Sequence, residues 1–109
     1  MKFNLLINPS HTWKSSHHHA LSLAQSMLLN GDEILSVFFY GESSQIAAYS
    51  DLQLEWIQLH RQQQFELLIC RTMIESQQIK VQLQPEFKIV GMSQLALDME
   101  RSDKVVEIV

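Results

Sequence analysis

The sequence predicts an α/β fold, a three-layer α/β/α sandwich around a mainly parallel sheet of about five strands. Three observations predict it. Short continuous apolar blocks, Phe3 to Ile7, Ile34 to Tyr40 and Phe65 to Cys70, end in turn-forming or polar residues. Segments with apolar residues at helical spacing lie between them. Block and helix follow one another closely enough for βαβ crossovers, which leave the sheet covered on both faces.

Taken in order, Phe3 to Ile7 is closed by Asn8-Pro9-Ser10 and reads as the first strand. Ala20, Leu23, Ala24, Met27 and Leu28 then mark the clearest helix, with Ser15 or Ser16 available as N-cap and Gly31 as the C′ residue. Ile34 to Tyr40 is the second strand. Gly41 to Ser50 is a polar connection, and Asp51 can cap a helix whose Leu52, Trp56 and Leu59 share one face before Gln62-Gln63-Gln64 ends it. Phe65 to Cys70 is the third strand, and Arg71 to Gln77 turns into a short helix. Within 79–90, Ile79 to Leu83 alternates like a half-exposed strand, whereas Phe87 to Val90 resembles a short buried one. Ser93 caps a helix with Leu95, Ala96 and Met99 inward, and Lys104 to Val109 is the last strand.

The 109 residues suit one domain spanning 1–109, and 46% hydrophobic with 18% charged residues excludes disorder over most of the length. Eight basic against twelve acidic residues give a net charge of −4 with no basic run, so direct nucleic-acid binding is not expected. No apolar stretch approaches the roughly 20 residues of a membrane span. Met1-Lys2-Phe3-Asn4 runs straight into a strand without the apolar region of a signal peptide, and one cysteine permits no internal disulfide. Both facts point to a cytoplasmic protein.

In open parallel sheets, chemistry collects beyond the carboxyl ends of the strands. Cys70, the sole thiol, stands at such an end, where the chain turns into a helix. Thiolate is the reactive form of cysteine, and a helix start or a cation such as Arg71 favours it. The competing reading is a small hydrophobe completing the core. His17-His18-His19 suggests a metal site, with His11 and His60 elsewhere, but adjacent helical residues diverge by about 100° and the i, i+4 spacing of helical zinc sites is absent. A solvated helix start is the plainer reading, and no metal or other cofactor is expected.

The loop from Asn8 to Ser16, with Lys14 and Ser15, has a phosphate-binding composition but no glycine-rich signature. Strand one leads into no acidic cluster of a phosphorelay receiver, and no Gly-x-Ser-x-Gly elbow occurs. Trp13, Trp56 and Met73 suit either the core or a partner surface.

Several segments together resemble one family. Lys2-Phe3 opens the first strand, Ser36-Val37-Phe38-Phe39-Tyr40 ends the second and Leu68-Ile69-Cys70 the third. Gly91-Met92-Ser93-Gln94-Leu95-Ala96 and Ser102-Asp103-Lys104-Val105-Val106 follow. In this order the chain resembles the DsrE/TusD family of small sulfur-relay proteins. The resemblance implies a DsrE-like fold and a persulfide-carrying cysteine at Cys70 that passes sulfane sulfur to a partner protein's thiol. It implies service to tRNA 2-thiouridine formation or to sulfur oxidation. It also implies sulfur donor and acceptor proteins as partners, and assembly as a homo-trimer or hexamer, or with sister subunits. A non-catalytic assembly subunit and, behind it, a nucleotide-binding module are the alternatives.

Overall fold

A computed structural model describes residues 1–8 and 13–108. Pro9, Ser10, His11 and Thr12 of the first loop, and Val109, lie outside the described residues. All five strands, β1 (Lys2–Ile7), β2 (Glu33–Phe39), β3 (Glu66–Cys70), β4 (Phe87–Val90) and β5 (Lys104–Ile108), form one parallel sheet in the order β4-β3-β2-β1-β5. The predicted fold class holds.

Strand alternation divides the core in two. Leu5, Ile7, Val37, Phe39, Leu67 and Ile69 point to one face and pack with Trp13, Ala20, Ala24 and Met27 of α1 (Trp13–Leu29) and Trp56, Ile57 and Leu59 of α2 (Ser50–Gln62). Phe38, Leu68 and Cys70 point to the other face, under Leu95 of α4 (Met92–Arg101). The direction of winding explains the division. Steps from β1 through β2 and β3 to β4 run one way across the sheet, and the return from β4 to β5 runs the other, so right-handed crossovers send α4 to the opposite face.

Helix α1 ends as predicted. The Asp32 amide donates to the Met27 carbonyl (3.0 Å) and the Gly31 amide to that of Leu28 (3.2 Å), with Gly31 at φ +85°, a Schellman motif that suits glycine. Its start differs, because the helix already includes Trp13 and both Ser15 and Ser16 lie inside it. The connection 41–50 is also more ordered than expected. Gly41–Ala48 forms a 3-10 helix fixed by Ser43, whose hydroxyl donates to the carbonyls of Ile7 (2.6 Å) and Tyr40 (2.7 Å).

Two expectations fail for identifiable reasons. Ile79 to Leu83 is not a strand, because its neighbourhood is tied to the helical layer instead. The Gln82 amide donates to Ala47 O (2.8 Å), and buried Gln53 donates to Ile46 O (2.8 Å) and Gln82 O (3.0 Å) while accepting from the Gln84 amide (2.8 Å). In α4, Leu95 and Asp98 face inward, while Ala96 and Met99 are exposed. Seating Leu95 among Phe38, Leu68 and Cys70 fixes the helix rotation, and at 3.6 residues per turn the residue three further follows it inward. Gly91 is the N-cap, and Ser93 lies exposed within the first turn.

Candidate functional site

Cys70 ends β3 with the extended backbone of a helix N-cap (φ −68°, ψ 119°), and α3 (Arg71–Ser76) begins at the next residue. Its partner across the sheet is Val90, the last residue of β4. The chain leaving β3 enters α3, whose Ile74 joins the core under α1 and α2, while the chain leaving β4 enters α4 on the other face. Neighbouring strands whose connections diverge in this way open a crevice at their carboxyl ends. Cys70 stands at that switch point, on the sheet edge where the sequence places it.

The thiol's burial is what the reading of Cys70 as a small core hydrophobe expects. Cys70 is free and fully buried, at 0% relative exposure, among Phe38, Leu68 and Leu95, with Leu6, Tyr40, Met73 and Val90 packed around this cluster. Its recorded polar contact is with another sulfur, Met92 Sδ at 3.8 Å. Met92, the first residue of α4, is 45% exposed. Arg71, the cation expected beside the thiol, is exposed and donates from Nη2 to the Ile89 carbonyl at 3.2 Å.

His17 is also a correction, because the helix start is solvated only in part. His18 and His19 are exposed, whereas His17 is buried at 2%. The Trp56 indole N–H donates to His17 Nδ1 (3.1 Å), so the proton of the neutral ring sits on Nε2, which donates to Glu55 Oε2 (3.0 Å). Burial holds the imidazole below its ordinary value of 6.5; the hydrogen bond and charge of Glu55 oppose this, and His18 adds to it. The signal was present in the sequence, since position 17 continues the buried stripe of Trp13, Ala20, Ala24 and Met27.

Ligand atoms of His17, His18 and Glu55 lie within 4.8 Å of one another, so metal binding needs a test. A metal on His17 Nε2 displaces the proton to Nδ1, where it faces the Trp56 N–H donor. The donor set does not suit a metal in this arrangement. His17 also sits in the layer of α1 and α2, across the sheet from the Cys70 cluster, so the structure does not bring the two together.

Trp13 and Trp56 are core residues, and Met73 is half-buried against the Cys70 cluster. Lys14 Nζ lies 4.7 Å from the Tyr49 ring centroid and 5.7 Å from that of Trp13, a cation–π arrangement. A hollow of about 310 Å³ lined by His60, Phe65, Glu66, Pro85 and Lys88 lies at the amino end of β3, opposite to Cys70. No helix among the described residues is long and apolar enough to cross a membrane.

The sheet order, the two unequal helical layers and the cysteine at the switch point define a DsrE-like α/β protein. The crystal structure of the ychN protein from E. coli matches this fold with a TM-score of 0.73 at 15% identity, covering 99% of each chain. No family model matches the sequence. Sulfurtransferase TusD of Serratia proteamaculans (strain 568) is 33% identical over 108 positions, covering 81% of this chain and 84% of that protein. Sulfurtransferase TusD of Cronobacter sakazakii (strain ATCC BAA-894) is 29% identical over 127 positions, covering 98% and 99%. The chain belongs to the DsrE/TusD-like family of sulfurtransferases.

Proposed function

We propose that this protein is a cytoplasmic sulfur-relay subunit in which Cys70 carries sulfane sulfur as a persulfide. The observation that supports it most is the placement of the sole thiol at the β3/β4 switch point of a TusD-like chain. In the first step the Cys70 thiolate attacks the outer sulfur of a donor protein's persulfide. The new S–S bond forms on Cys70 as the old one breaks, and the donor leaves as thiolate. In the second step an acceptor protein's thiolate attacks the outer sulfur of the Cys70 persulfide and Cys70 leaves as thiolate. Sulfur moves between equivalent bonds, so no net oxidant or reductant is consumed. The apolar lining from Phe38, Leu68 and Leu95 keeps water from the bound sulfur. In the TusD branch the sulfur goes to tRNA 2-thiouridine formation; sulfur oxidation is the other destination.

Incubation with a cysteine desulfurase and cysteine tests the reading. The Cys70 peptide is expected to gain one sulfur atom by mass spectrometry, and the gain should vanish in Cys70→Ser. An unmodified peptide, with a known carrier loaded in parallel, overturns it. The full burial of Cys70 favours a second reading, a non-catalytic assembly subunit in which the thiol only fills the core. That reading predicts no loading, with or without sister subunits.

A further inference from the structure

A sulfur transfer at Cys70 requires the attacking and leaving sulfurs to reach Sγ, and in this structure no part of the side chain is open to solvent. Something must move. Phe38 and Leu68 are fixed in the middle of the sheet, and Leu95 is wedged against them from α4. Met92 differs from all three. Its sulfur touches Sγ at 3.8 Å, yet at 45% it is more exposed than Leu6, Tyr40, Met73 or Val90 around the same cluster, so this residue reaches from the thiol to solvent. Its local anchorage is slight as well. Gly91, the N-cap of α4, has no side chain with which to hold the first turn, and the preceding strand, β4, has four residues and pairs, among the described residues, with β3 alone. Methionine is unbranched and changes rotamer at little cost.

We infer that Met92 is a gate over Cys70, closed in the isolated chain, and that the thiol becomes reachable when this side chain swings outward. Taken with the sulfur-carrier reading, on which this second half rests, the gate gives the relay its order. A partner that offers Met92 an apolar seat opens the site by the same contact that brings its own sulfur in. A persulfide on Cys70 stays covered between partners.

Because the chain has one cysteine, labelling of the native protein with an aryl disulfide reagent reports this thiol alone. Met92→Ala is expected to react roughly tenfold faster or more than wild type, since the plug is removed. Alanine is the best helix former, so the change does not loosen the first turn of α4. Met92→Leu, which restores the bulk without the sulfur, should return to within about threefold of wild type. Met73→Ala, on the α3 side of the same cluster, should react more slowly than Met92→Ala.

Three results overturn the gate: equal rates for wild type and Met92→Ala, a larger effect from Met73→Ala, or an acceleration fully accounted for by lost global stability in urea. Sulfur loading from a desulfurase, measured on the same variants, separates the two readings. Faster labelling of Met92→Ala with no persulfide in any variant leaves the gate standing and removes the carrier. Equal loading and equal labelling in all variants keeps the carrier and removes the gate.

Discussion

His17 shows how one buried side chain ties the stability of this fold to pH. Its Nδ1 accepts from the Trp56 indole and its Nε2 donates to Glu55, an arrangement that only the neutral ring satisfies. Protonation sets two donors, the Trp56 N–H and a new Nδ1–H, against each other in a site closed to water. Burial accordingly holds the folded-state value below 6.5, so below that pH the unfolded chain takes up the proton more readily than the folded one. The stabilisation tied to the neutral ring is therefore complete above pH 6.5 and is lost as the pH falls toward the lower folded value. The urea midpoint of the wild type should drop between pH 7.5 and 5.5. In His17→Gln the midpoint should be lower throughout, because the Trp56 contact is weakened, but its acid-side decline should be shallower. An equal decline in both proteins removes His17 as the cause.

Among elements, the segment between α3 and β4 shows why strand periodicity alone does not make a strand. Residues 79–83 alternate as a half-exposed strand does, yet the backbone groups of Gln82 and Gln84 are taken by Gln53 and Ala47. A strand forms when a neighbouring backbone offers a ladder; here a buried glutamine on α2 and the 3-10 helix offer hydrogen bonds first. The strands of the centre were legible because their apolar runs are continuous and buried on both faces, as in β2 and β3. Gln53 was not, since a polar residue reads as surface until its partners are known. Gln53→Ala strands the Ile46 and Gln82 carbonyls and the Gln84 amide, and is expected to cost about 2–4 kcal/mol in urea unfolding. Limited proteolysis should then cut within 79–86 ahead of the strands. Gln53→Glu, which cannot donate to the two carbonyls, should be destabilising too. Wild-type stability in both variants refutes the role assigned to this side chain.

At the scale of the molecule, the two faces of the sheet are unequally covered. One carries α1, α2 and the 3-10 helix over a large core, whereas the other carries α4 over a small cluster. The sequence showed that Cys70 ends a strand at the carboxyl edge of the sheet. It did not show what covers the thiol, because that contact joins residues 22 positions apart through the pairing of β3 with β4. Nor did it show which side of α4 faces solvent: Leu97 and Met99 are exposed there, and Val105 of β5, which pairs with Asn4, is exposed on the same side of the sheet. Leu97, Met99 and Val105, exposed together on the thinly covered face, are what association between chains would bury there. The expected result in sedimentation is a trimer or hexamer of the 12.7 kDa chain, or a mixed assembly once sister subunits are added. Replacing Leu97 and Met99 together by lysine should yield a folded monomer with unchanged circular dichroism. Leu54→Lys, an equally exposed position on the outer side of α2 in the other layer, should leave the assembly intact. A wild-type monomer under all conditions, or dissociation caused by Leu54→Lys alone, would show that the thinly covered face is not where these chains meet.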